Sequence, residues 1–292
     1  MTAALAATPP ALPAWRRRDL TALLAAPAMG YMLVVFGAPL LLLLWSSVQA
    51  DGGGFSLAGY AKILGDAYYR QVILNSFSLG LITTAGCVLL GYPAAFAIAR
   101  AKGYWQVLLF ALVFLPLTVS IIVKSFGWAI LLRRDGLVNF ALLGLGLVER
   151  PQRLLFTTES LYVGMINVFL PFMILPLYSV VRMIDPRLSE AAATLGASPW
   201  YRFSRVVLPL SLPGLVAGIS IVFALAIAAY VTPSLLLGDR YMTMSLVMAK
   251  AYLNLRDWQL GSAMASILLS ISVVVVVGTA WLQRALARRG GA

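Results

Sequence analysis

The chain has 292 residues, 61% of them hydrophobic and only 11% charged, with a net charge of +12 and no histidine. A soluble domain carries about a quarter charged residues, so this composition, with a mean hydropathy of +0.91, describes a polytopic membrane protein. The single cysteine, Cys87, lies in an apolar run, which excludes an intrachain disulfide and argues against a His/Cys metal centre.

Residues 1–19 form an Ala/Pro-rich tail that ends in Arg16, Arg17, Arg18 and Asp19. Six apolar runs follow: Leu20–Val48, Val72–Ala99, Tyr104–Leu132, Leu161–Val181, Val206–Leu237 and Leu260–Leu282. Each exceeds the ~20 residues that a helix needs to cross ~30 Å of hydrocarbon. Backbone groups in lipid must find partners within their own segment, so all six are predicted helical. The first run is too long for a signal-peptide core and lacks a convincing cleavage site, which predicts a retained span. The expected architecture is an all-α membrane domain over residues 20–282, flanked by tails 1–19 and 283–292. Trp45, Trp105, Trp128 and Trp281 fall where an interfacial aromatic belt places them.

Six spans put both termini on one side. If that side is the cytoplasm, its segments hold twelve cations against Asp19, Asp185 and Glu190, a net of +9. The opposite loops hold nine cations against seven acids, a net of +2. The positive-inside rule therefore assigns both termini and the loop at 185–209 to the cytoplasm, and it accounts for the basic balance without nucleic acid. Between the third and fourth runs, Leu137–Val148 is apolar but too short to cross, which predicts a helix on or dipping into the outer surface.

The loop at 185–209, DPRLSEAAATLGASPWYRFSRVVLP, mixes charge, small residues and helix signals between two apolar runs. Ser189 is suited to cap a helix that starts at Glu190, whose carboxylate complements the positive end of the helix dipole. Ala191, Ala192 and Ala193 favour that helix, and Gly196 is suited to end it in a left-handed turn. Ser198 and Pro199 then read as a second cap and first helical position. Two short helices joined at Gly196, carrying Arg202 and Arg205, offer a surface to a partner protein. The plainer alternative is an amphipathic loop at the membrane interface.

The sequence has no GxxxxGK[ST] phosphate loop, no GxSxG and no HExxH, so catalysis, ATP hydrolysis included, is not expected of this chain. The predicted spans contain no Asp or Glu. Proton- and sodium-driven carriers place carboxylates at mid-membrane, so energy is expected from outside the chain. A membrane-embedded transferase would need acids, His or a nucleophile at one membrane face. A passive channel would not need a docking loop.

Lys124 is the ionisable residue well inside a span, nine residues before Arg133, or ~13 Å along a straight helix. It costs roughly 2.5–3.5 kcal/mol at mid-bilayer. One reading is a cation lining a passage; the other is a side chain that snorkels to the outer surface. Pro93, Pro116, Pro171, Pro176, Pro209, Pro213 and Pro233 permit kinks, which line many passages and are also ordinary in membrane helices. Most polar side chains in the spans are expected to bond between helices. Ser120, Asn167, Tyr230 and Thr232 are the candidates for touching solute, and Cys87 is expected to pack.

Glu190-Ala191-Ala192, three residues, Gly196, nine residues, Val206, one residue and Leu208-Pro209 resembles the EAA loop of binding-protein-dependent ABC importer permeases, with Val206 where the family usually has Ile. The likeness extends through Leu90–Arg100, Phe114–Asn139, Ile184–Trp200, Tyr230–Gly238 and Trp258–Ala265, which are similar to the spermidine/putrescine-type branch, a branch that also serves opines and aminophosphonates. The resemblance implies a type I importer permease fold, a second permease subunit in a heterodimer, two ATPase subunits that hold ATP and magnesium, and an external solute-binding protein. It implies that Glu190, Ala191, Ala192, Gly196, Arg202, Arg205, Leu208 and Pro209 belong to the ATPase-coupling element. Several relatives carry an acid just before the segment matching Tyr230–Pro233; Ala228 and Ala229 stand there instead, which counts against a polycation. Relatives often have Arg where Lys124 stands, so that residue says little about the solute.

Overall fold

The structure is a computed structural model that describes residues 25–49 and 54–290. The basic N-terminal tail and the start of the first apolar run lie outside the described residues. Within them the chain is helical, with one isolated antiparallel bridge between Gln49 and Phe55. Among the described residues five helices are long and apolar enough to cross a membrane: α1 (Ala25–Ser47), α3 (Ala67–Arg100), α7 (Thr158–Met183), α9 (Pro199–Ile227) and α12 (Trp258–Gly290). They answer to five of the six predicted runs, with α3 and α7 extended beyond them by a turn or less at most ends.

The third run does not form one straight helix. It divides into α4 (Tyr104–Thr118) and α5 (Ile121–Leu131), which meet at 101°. Pro116 gives α4 no amide hydrogen to donate, and the Thr118 hydroxyl takes the Leu115 carbonyl at 2.8 Å. Val119 and Ser120 then turn extended. The bend lies before Lys124, so the helical path from Lys124 toward Arg133 is unbroken as far as Leu131 and only its direction changes.

The fifth run is also interrupted. It begins earlier than predicted, at Pro199, and gives way at Ala228–Tyr230 to the short helix α10 (Val231–Leu236). Pro233 sits in the first turn of α10, where its missing N–H costs nothing. The Ala229 carbonyl freed at the break accepts from the buried Ser245 hydroxyl at 2.6 Å. The apolar segment between the third and fourth runs is helical over Leu137–Gly144 (α6), shorter than the stretch to Val148. Fully buried Asn139 on α6 donates to the carbonyls of Arg133 and Gln152 and accepts from the Gln152 amide, which ties that long loop to itself.

The centre of the bundle is α3 against α7 and α9. Leu79, Cys87, Leu161, Met165, Val168, Met173, Val222 and Ala226 are buried there. Small residues let these backbones approach, as membrane helices require when lipid supplies no hydrophobic drive to pack. At the end of the bundle remote from the 185–209 loop, α2 (Ala58–Gly65) and α11 (Met244–Lys250, continued through a π turn to Leu255) pack under α12 around Ile63, Val72, Met244 and Met264. Neither helix is predicted above, since each is short and lies among loop residues. α1 lies outside the packed core, and attaches through Ser46 Oγ to Ser262 Oγ at 2.7 Å and Ser47 Oγ to Tyr60 OH at 2.8 Å. Its remaining apolar surface faces outward, as a lipid-facing helix does.

Candidate functional site

Two regions carry the candidate residues. The first is the elbow between α7 and α9. Here α8 (Pro186–Thr194) starts four residues before Glu190. Asp185, and not Ser189, is its cap: the Arg187 amide donates to Asp185 Oδ1 at 2.9 Å, and Pro186 takes the first helical position. Proline at that position lacks the N–H that would go unpaired there, which is why the earlier start wins. Gly196 ends α8 at φ +82, as predicted. The Ala197 amide closes back on the Ala192 carbonyl at 3.1 Å and the Gly196 amide on Ala193 at 2.9 Å, a left-handed helix stop.

Ser198 caps the next helix, accepting from the Tyr201 amide at 3.3 Å, with Pro199 following as predicted. That helix is not short. It passes through a π turn at Phe203–Val207, carries Arg205 out to solvent, and continues through Leu208 and Pro209 as the body of α9. The elbow is therefore one free helix, α8, joined by a glycine hinge to the stem of a membrane span. Phe203 anchors that stem edge-on to Tyr92 of α3 at 5.6 Å, and Tyr92 OH meets Ser211 Oγ at 2.6 Å.

The elbow exposes what a free surface does not keep. Leu195 is 88% and Trp200 75% exposed, with Leu188 and Tyr201 beside them. Glu190, Ala191 and Arg205 are exposed; Ala192 and Arg202 are half-buried. Among the described residues Glu190 has no basic partner within 4 Å. Among the same described residues the Arg202 Nε is buried without a hydrogen-bond acceptor. At the same end of the bundle, Arg100 and Arg182 fold over Phe96 and Tyr178 at 5.9 and 6.0 Å. Apolar side chains rimmed by charge at the end of a bundle mark a surface for contact with a protein or a membrane.

The second region is where the two broken spans meet. α5 packs on α10, and the contact is fixed by a hydrogen bond between the fully buried Ser125 hydroxyl and Thr232 Oγ1 at 3.0 Å. One turn on, Trp128 Nε1 donates to Asn167 Oδ1 of α7 at 3.1 Å. Ser120 stands exposed at the start of α5, and its carbonyl accepts from the Lys124 amide at 3.0 Å. Lys124 is half-exposed next to Ser125, and Tyr230 is exposed at the break before α10. The structure thus gathers Lys124, Thr232 and Asn167 around α5. Thr232 itself is 2% exposed, with its hydroxyl engaged in the tie. Trp128 is expected above only in an interfacial belt, and Ser125 only among the polar side chains that bond between helices, because nothing in the linear order pairs residue 125 with residue 232. Thr232→Val is expected to cost roughly 0.6–1.7 kcal/mol, the range for a hydrogen bond between membrane helices. Thermal unfolding of the purified protein checks it, and Ser125→Ala should add little on top.

Residues 88–290 match the family model described as the binding-protein-dependent transport system inner membrane component. The chain belongs to this family. It is a permease subunit of a binding-protein-dependent ABC importer, a multi-pass inner-membrane protein that works with ATPase subunits and a solute-binding protein. The matched residues run from the middle of α3 through the elbow to the end of α12. The spermidine/putrescine permease PotB of Salmonella typhimurium is 36% identical over 224 residues, 77% of this chain and 76% of that protein. The permease YdcU of Escherichia coli is 32% identical over 73% of this chain and 74% of that one. Among solved structures, a bacterial ABC transporter that imports the acidic polysaccharide alginate aligns over 92% of this chain and 96% of its own, with a TM-score of 0.73 at 18% identity. That likeness carries the importer-permease fold. Family membership displaces the transferase and passive-channel readings.

Proposed function

We propose that this permease moves an organic amine of the polyamine type inward across the cell membrane by alternating access. The supporting observation is the 36% identity, over 77% of the chain, to a protein named for spermidine and putrescine transport. In this reading both termini and the elbow face the cytoplasm, where two ATPase subunits bind ATP and magnesium. A second permease subunit completes a heterodimer, and an external binding protein delivers the solute. ATP draws the ATPases together, and the elbow moves with them. The exposed Leu195 and Trp200 fill an ATPase groove, and Glu190 pairs with an ATPase cation. The stem of α9 carries the movement to the broken helices, whose shared contact at Ser125 and Thr232 lies beside Lys124 and Tyr230 on the passage.

Uptake of labelled putrescine or spermidine into proteoliposomes holding the assembled transporter tests the solute class. ATP-dependent accumulation of either amine is expected; accumulation of neither, with ATP hydrolysis intact, would defeat the amine reading. The second reading, a neutral or anionic organic solute such as an opine or aminophosphonate, is favoured by Ala228 and Ala229, which leave the start of the α10 segment without a carboxylate.

Lys124 belongs to the passage in this reading, because an ammonium group keeps its stretch of the route hydrated and an apolar constriction dewets. Lys124→Met is expected to lower uptake several-fold at normal expression and normal ATPase co-purification. Unchanged uptake returns Lys124 to a side chain that reaches the membrane surface.

A further inference from the structure

At the break after α9, Tyr230 shares a cavity of about 170 Å³ with Ser234, Asp239, Lys250 and Asn254. Within it the Lys250 ammonium donates to Asp239 Oδ1 at 2.8 Å. We propose that this ion pair is a latched subsite for a primary ammonium group. Asp239 receives an amine of the solute in transit, and Lys250 holds that position while no solute is there. The inference rests on the amine reading above and on Tyr230 lying along the passage.

Four observations carry it. First, the geometry already accepts the ligand: a lysine side chain ends in an alkylammonium, the same head group as the end of a linear polyamine. An ammonium has three donors. Asp239 takes one, and Ser234, Asn254 and Tyr230 line the same cavity with oxygen acceptors for the others. Second, the pair is exchangeable. The Asp239 side chain is 81% and that of Lys250 37% exposed, and an exposed ion pair is held loosely enough for another ammonium to replace it. A transit site must bind well enough to admit the solute and weakly enough to release it.

Third, the neighbouring cation does not compete. Arg240 lies over the Phe156 ring at 5.6 Å and, among the described residues, has no carboxylate partner within 4 Å. Fourth, the position places a carboxylate beside Tyr230. Ala228 and Ala229 leave the approach to Tyr230 without a carboxylate in sequence, and Asp239 supplies one in space. Gly238, at φ +60, opens the turn that carries it.

The test uses the assembled transporter in proteoliposomes, with its binding protein and with putrescine and spermidine as probes. Initial uptake is measured at saturating solute-loaded binding protein. Asp239→Asn is expected to lower the rate by about three- to fivefold, the scale on which an exposed ion pair acts. Asp239→Glu is expected to retain most of the rate, and Lys250→Met to raise it about twofold or more, because the competing ammonium is gone. The opposite signs decide the matter. A pair that merely braces the loop predicts that Asp239→Asn and Lys250→Met fall together, since both break the same bridge. Parallel losses, or wild-type rates in both, overturn the subsite while wild-type amine uptake keeps the amine reading intact. A wild-type transporter that moves neither amine, with a binding protein that binds neither, overturns the amine reading and the subsite with it.

Discussion

Gly196→Val is expected to abolish stimulation of ATP hydrolysis by the solute-loaded binding protein, a drop of at least about tenfold, while the permease itself still accumulates in the membrane. Gly196 sits at φ +82, and an added Cβ would meet no atom within 4 Å. The obstacle is therefore backbone conformation and not crowding. A left-handed residue with a Cβ costs roughly 1–2 kcal/mol, and a β-branched one more. That is enough to redirect α8 relative to the stem of α9, and too little to unfold a bundle whose core lies elsewhere. Gly196→Asn separates the two demands on this position, because asparagine tolerates the left-handed region. It should retain most of the stimulation. The measurement is ATP hydrolysis by the purified complex in lipid, with and without loaded binding protein. Full stimulation in Gly196→Val would remove the elbow from the coupling route.

Much of this was legible in the linear order for physical reasons that act locally. The lengths of the apolar runs are fixed by bilayer thickness, so α3 and α7 follow the predicted segments to within about a turn and a half, while α12 runs on past the predicted end at Leu282 to Gly290. The stop at Gly196 and the restart at Ser198–Pro199 are decided within a few residues, and both stand where the residues put them. The start of α8 was misplaced because two adjacent cap signals compete. Ser189 preceded a good helix former, but Asp185 with Pro186 also pre-sets the first turn, and the longer helix satisfies more backbone. The breaks at Val119–Ser120 and Ala228–Tyr230 were not legible. Hydropathy averages over them; at the second break the Ser245 hydroxyl takes up the freed Ala229 carbonyl, and the Ser125 and Thr232 side chains tie the two broken helices together. The same reason hid the Asp239–Lys250 pair: it joins residues eleven positions apart across a turn that no local signal closes.

The crossing of α7 and α9 sets the last expected result. Gly214 lies in α9 against α7, and a Cβ built there would stand 2.8 Å from the Pro176 carbonyl oxygen and 3.0 Å from Leu177 Cα. Both are backbone, so neither can swing aside. Gly218, one turn on, would meet the Met173 sulfur at 2.6 Å, the far end of a flexible side chain that can change rotamer. Gly214→Val is accordingly expected to destabilise the folded permease by about 3 kcal/mol or more, at or above the upper part of the usual overpacking range. Gly218→Ala should cost no more than about 1 kcal/mol on the same scale. Thermal unfolding of the detergent-solubilised complex, followed by size-exclusion fluorescence, orders the two variants. Equal melting temperatures would mean that α7 and α9 do not meet closely at Gly214. The contact matters beyond stability, because the two helices joined there are the two that the elbow connects. A displacement of α8 can reach Ser125 and Thr232 as a rigid movement only if the spans on either side of it are locked backbone to backbone near their base. Gly214→Ala, which adds the clashing Cβ and nothing more, should therefore reduce binding-protein-stimulated ATP hydrolysis more than Gly218→Ala does, compared at matched amounts of folded complex.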